Sequence, residues 1–167
     1  MNSSGSIKVA PGSDGIVATG SLTGCTGIAG FAKKPDGSIK AFVSHYDLVS
    51  QTHFFTGMGS PAVTDLYDFK HRTTAQGNAQ DPIFVVTYPR SGEASPHHGK
   101  REGDADQWHY LDQLDNAAQY MGGGATVVKI PYDGGGHTLA SGRFSGQEGI
   151  FWNGVKIDPV DFLKKTD

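Results

Sequence analysis

The stretch Lys33-Lys34-Pro35-Asp36-Gly37-Ser38 constrains this chain more than any other feature. Proline presets its own φ, aspartate bonds to nearby backbone, and glycine accepts the positive φ of a tight turn. The flanking segments, Thr26 to Lys33 and Ile39 to Tyr46, therefore pair as an antiparallel hairpin. The second strand alternates Ile39, Ala41 and Val43 against Lys40, Phe42 and Ser44, and carries His45 near its end. With a turn centred near Asp36, residues whose numbers sum to roughly 71 to 73 face each other. Ser44 to Tyr46 then lie opposite about Cys25 to Gly27, which makes Cys25 and His45 predicted neighbours.

Length and composition narrow the setting of that hairpin. A chain of 167 residues can bury most of a normal core, so one domain is expected over residues 1–167. Its polar start, Met1 to Ser6, reads like the trimmed edge of a domain excised from a longer chain. The 24 glycines are about twice the usual frequency of roughly 7%, which favours many turns and short strands. Basic and acidic residues, 14 and 17 in number, are mixed without a Lys/Arg stripe, which argues against a nucleic-acid partner. No apolar run approaches the ~18 residues of a membrane span, and no signal peptide opens the chain. The single cysteine excludes an internal disulfide and any multi-cysteine zinc site.

Further strands are expected at Ser6 to Ala10, Gly15 to Thr19, Ile83 to Tyr88, Ala125 to Tyr132, His137 to Phe144, and Gly149 to Ile157 with a turn at Asn153-Gly154. The near-continuous Ile83-Phe84-Val85-Val86 run predicts burial on both faces. Ser60-Pro61 opens a predicted helix to about His71. Asp104 or Asp106 caps a second, whose face carries Trp108, Leu111, Leu114, Ala118 and Met121. The fold class expected from this order is α+β: a mixed β-sheet or β-sandwich core flanked by two main helices.

Around the cysteine the chain reads Thr19-Gly20-Ser21-Leu22-Thr23-Gly24-Cys25-Thr26-Gly27-Ile28. Gly20 and Gly24 allow a sharp loop before the strand, so Cys25 sits where backbone amides are free. Such amides favour the thiolate and hold a developing oxyanion. A thiolate beside an imidazole is what thiol-based acyl transfer requires, because the base also returns a proton to the leaving group.

These residues resemble the Cys/His glutamine deamidases: the catalytic domain of cytotoxic necrotizing factor, the Burkholderia lethal factor and the chemoreceptor deamidase CheD. The shared pattern is Leu-Ser-Gly-Cys or a close variant, then a strand, a turn and a His. Here it reads Leu22-Thr23-Gly24-Cys25 with Thr in place of Ser, and His45 stands twenty residues on, a longer interval than most. Two of the relatives place a Thr six residues before the Cys, where Thr19 stands here. The resemblance spans about 30 of the 167 residues. It implies a deamidase-like fold and conversion of a target protein's glutamine to glutamate through a Cys25 thioester. In that scheme His45 is the acid/base, Thr19 its orienting partner, and the Gly24 and Thr23 loop the oxyanion site. It also implies a monomeric bacterial toxin or effector domain, excised from a longer toxin or effector, secreted or injected, acting in the cytoplasm of a host or competitor cell, without cofactor or metal.

Other readings stay open from sequence. The same pair serves another thiol amidase or protease, or a transglutaminase if an amine intercepts the thioester. A non-enzymatic binding domain with a buried Cys25 is the third class. His97, His98, Glu102, Asp104, Asp106 and His109 supply metal-ligand types, yet match no closed zinc spacing. His137, after Gly134 to Gly136, is a second conceivable base. Phe151 and Trp152 are expected to pack a hairpin.

Overall fold

The computed structural model describes residues 3–23, 25–46, 83–89 and 126–158. Nine strands lie among them: β1 (Ser3–Val9), β2 (Gly15–Leu22), β3 (Thr26–Lys33), β4 (Ile39–Tyr46), β5 (Ile83–Pro89), β6 (Thr126–Tyr132), β7 (His137–Phe144), β8 (Gln147–Trp152) and β9 (Val155–Lys156).

The β3–β4 turn forms where proline, aspartate and glycine mark it. Gly37 N–H donates to the Lys34 carbonyl at 2.9 Å, and Lys34 N–H to the Ser38 carbonyl at 2.8 Å. Gly37 has φ 87°, a conformation in which a side chain is strained. Asp36 Oδ1 accepts from the Ser38 hydroxyl at 2.5 Å and from Ser38 N–H at 2.8 Å. Those two bonds, the hydroxyl's first, stabilise the carboxylate and hold Asp36 below its ordinary range. The ladder that follows pairs Thr26 with Tyr46 and Gly27 with His45, inside the range predicted from the turn.

β1, β4, β3, β5 and β6 form one mixed sheet in that order, with only the β5–β6 pair parallel. β2, β7, β8 and β9 form a second, antiparallel sheet. The sheets face each other across one core. Ala29, Phe31, Ala41, Val43, Val85 and Ile130 supply the first sheet's side, and Leu22, Leu139 and Ile150 the second's. Full burial of a side chain such as Leu22 or Leu139, both 0% exposed, contributes about 1.5–3 kcal/mol. On the opposite face of the mixed sheet Ile28, Phe42, Phe84 and Val86 are buried too, as the apolar run in β5 predicts.

The expected α+β class, with two main helices flanking the core, is corrected here. The described residues are all-β, in two sheets, and contain no helix. The physical reason is that the two sheets bury their inner faces against each other, so the core among the described residues is closed by strands alone. The segments predicted as helices, 61–71 and 104–121, lie outside the described residues.

Strand prediction fares better. β3, β4 and β7 have the expected bounds, and Asn153 and Gly154 turn with φ 50° and 80°. β1 begins at Ser3 rather than Ser6, because Ser3 to Gly5 continue the ladder against β4.

Candidate active site

Strand register decides which side chains share one end of the sandwich. Gly27, His45 and Thr87 occupy one row across β3, β4 and β5, and the parity that places Ala29 and Val43 in the core turns that row inward too. Cys25 precedes β3 and packs against the same core cluster, partly buried. His45 is thus diagonal to Cys25 rather than opposite it, a relation that in a regular ladder sets α-carbons about 7–8 Å apart.

The second sheet supplies the third member. β2 carries Thr19 inward, and Thr19 Oγ1 lies 3.0 Å from His45 Nδ1. A β-bulge follows at once. Thr19 pairs with Leu139 but Leu22 with His137, one extra residue on β2, and Ser21 takes φ 57° within it. The bulge restores the pleat so that Leu22 points inward as well, 0% exposed, where an unbulged strand would present Ser21. Thr19 therefore reaches His45 while Leu22 fills the core beneath.

Gly27 makes room for this packing. A β-carbon there would stand 2.8 Å from Thr87 Oγ1, 3.0 Å from Leu22 Cδ1 and 3.2 Å from Leu139 Cδ2. Any larger residue opposite His45 would push Leu22 or β5 away.

The β6–β7 turn closes over the loop that carries Cys25. Gly136 N–H donates to Thr23 Oγ1 at 3.1 Å, and the Tyr132 hydroxyl donates to the Cys25 carbonyl at 2.5 Å. Gly135 lies so close that a β-carbon would come within 2.6 Å of Thr23 Oγ1. Thr23 is exposed, and its hydroxyl is an acceptor in a loop contact. Gly24, the other residue of the expected oxyanion loop, lies outside the described residues.

His137, the second conceivable base, has both ring nitrogens engaged. Nε2 lies 2.6 Å from the Asp133 carbonyl and Nδ1 2.9 Å from Asn153 Nδ2. Asn153 Oδ1 accepts from Thr138 N–H at 2.9 Å, so its Nδ2 must donate. The network thereby assigns the proton of neutral His137 to Nε2. The ring stacks on Trp152, with centroids 5.0 Å apart and an interplanar angle of 14°. Trp152 thus packs within the sandwich end, partly buried against the core.

Sequence reasoning brings Cys25 and His45 together through the turn, and Thr19 through motif spacing. It misses Tyr132, which lies 107 residues from the carbonyl it binds and shows in sequence only as the end of a strand. The histidine and acidic cluster at 97–109 lies outside the described residues. At the other end of the sandwich Glu148 pairs with Arg143 and with Lys33 at 2.8 Å. A cavity of about 630 Å³ there, lined by Phe31, Ile83 and Ile157 among others, contains none of the candidate residues. No family model matches the chain, and no curated protein matches it. The likeness to glutamine deamidases rests on the motif residues alone.

Proposed function

We propose that this chain is a cysteine-dependent protein-glutamine deamidase of the effector type. The observation that carries the reading is the 3.0 Å contact between Thr19 Oγ1 and His45 Nδ1, beside a cysteine on the diagonal position. A motif spacing and a hairpin register, two unrelated lines of inference, select the same pair, Cys25 and His45, and the motif adds Thr19. In the proposed tautomer Nδ1–H donates to the Thr19 oxygen and Nε2 is the basic nitrogen, the arrangement an acid/base histidine needs.

In the proposed reaction His45 takes the Cys25 proton and Sγ attacks the δ-carbon of a glutamine side chain. The carbonyl oxygen gains negative charge against the Cys25 N–H and its neighbours in the loop. His45 then gives its proton to the nitrogen, the C–N bond breaks, and ammonia leaves a thioester on Cys25. Water, deprotonated by His45, attacks the thioester, and the C–S bond breaks to give glutamate and the thiol. A primary amine attacking in place of water gives transglutamination.

A second reading has its own observation. Cys25 packs against the hydrophobic cluster, as a structural cysteine does in a binding domain. Ammonia release from a host-cell lysate, compared among wild type, Cys25→Ala and His45→Ala, separates the two. The deamidase reading predicts release that both substitutions abolish. Equal release in all three, with Cys25 unreactive until the chain is unfolded, leaves the binding domain.

A further inference from the structure

Tyr132 approaches Cys25 from two strands away. β3, β5 and β6 are neighbours, and their registers set Tyr132 on the inner face at the Cys25 end. The side chain is 4% exposed, and its ring is braced by His137 and Trp152, with centroids 4.9 Å and 5.8 Å away. Its hydroxyl donates to the Cys25 carbonyl at 2.5 Å. The nucleophile's own peptide group is thus fixed by a rigid, buried donor.

That donor bears on the thiol. Bond lengths keep a residue's carbonyl oxygen within about 5 Å of its own γ atom. The oxygen is the negative end of the peptide dipole and, in a poorly solvated site, opposes a thiolate. A phenol O–H pointed at the oxygen offsets its charge and stops the peptide from rotating.

We propose that Tyr132 is a positioning residue for Cys25, whose hydroxyl holds the Cys25 carbonyl so that the thiolate forms near neutral pH. The consequence for turnover rests on the deamidase reading, but the ionisation is measurable without turnover. Cysteine labelled with ¹³C at Cβ reports one site, because the chain has a single cysteine. Its shift, followed against pH, gives the thiol midpoint, and iodoacetamide alkylation gives the rate.

Tyr132→Phe keeps the ring and removes the donor. The expected result is an upward move of the midpoint and alkylation about 3- to 10-fold slower at pH 7. Trp152→Phe, which loosens the same ring cluster and leaves the donor, is expected to keep the wild-type midpoint. An unchanged midpoint in Tyr132→Phe overturns the proposal, and so does an equal shift in both variants. If Tyr132→Phe does not fold, 3-fluorotyrosine at position 132, a stronger donor of nearly the same shape, is expected to lower the midpoint. A midpoint that does not fall overturns the proposal in that arm. An ordinary wild-type midpoint overturns the proposal, whereas a lowered midpoint that rises in Tyr132→Phe, in a chain that releases no ammonia from glutamine, keeps the role of Tyr132 and removes only the deamidase reading, so the two failures are distinguishable.

Discussion

Thr19 and His45 stand on different sheets, 26 residues apart in the chain, with Oγ1 and Nδ1 3.0 Å from each other. The contact exists because β2 and β4 face each other at one end of the sandwich. It ties the His45 ring to the second sheet.

Thr19→Val removes this oxygen at nearly constant volume. Deamidation is predicted to fall roughly 10- to 100-fold through misorientation of the imidazole, while stability changes by no more than about 1.5 kcal/mol, the size of one hydrogen bond. Thr19→Ser, which restores the oxygen, is predicted to recover most of the rate. Kinetics and urea unfolding of the same variants check both halves. Full activity in Thr19→Val would remove threonine from the mechanism.

Gly27→Ala tests the space opposite His45. The new β-carbon would meet Thr87 Oγ1 at 2.8 Å and Leu22 Cδ1 at 3.0 Å, so the core must shift at a cost of about 1–3 kcal/mol. Denaturant unfolding is predicted to show that loss, with slower alkylation of Cys25 beside it. Wild-type stability in Gly27→Ala would mean that the packing around this glycine is looser than described.

Asp36 gives the hairpin a pH dependence. Its carboxyl is held below the ordinary range by the Ser38 hydroxyl and N–H, so the folded state favours the ionised form. A depressed value contributes stability above the unfolded value, about 3.9, and loses it as pH falls through the lower folded value. Asp36→Ala is therefore predicted to be less stable than wild type at pH 7, with a gap that closes on acidification. Urea midpoints between neutral and strongly acid pH measure the gap. A gap of constant size would show that charge plays no part in the turn.

The network around His137 predicts a tautomer. In the neutral ring the proton is expected on Nε2, facing the Asp133 carbonyl, with Nδ1 accepting from Asn153. Correlation of ¹⁵N with ring protons reads this directly. Asn153→Ala should release Nδ1 and allow both tautomers. A proton on Nδ1 in the wild type would reverse the orientation assigned to Asn153.

Local chemistry is where the sequence was legible. Pro35, Asp36 and Gly37 determine the turn, the turn determines the register, and the register brings His45 to the Cys25 end. The diagonal offset agrees with the predicted sums of 71 to 73, which put the partner of His45 among Thr26 to Ile28 rather than at Cys25. Alternation located the strands, yet it carries no information about which strands share a sheet. The separation of β2, β7, β8 and β9 into a covering layer was therefore not assigned from sequence, where a single mixed sheet and a sandwich both stayed open. The bulge at Ser21 and the donor from Tyr132 arise from long-range packing, which no local pattern encodes.

The central claim is that Cys25 and His45 convert a glutamine to glutamate. The most direct measurement is peptide-level mass spectrometry of a host-cell lysate incubated with wild type, Cys25→Ala or His45→Ala. The predicted result is a gain of about one dalton, the difference between amide and acid, at a glutamine of a specific protein. It should appear with wild type and be absent with both variants. No glutamine altered by wild type alone, together with a Cys25 that alkylates no faster than an ordinary thiol, would contradict the account.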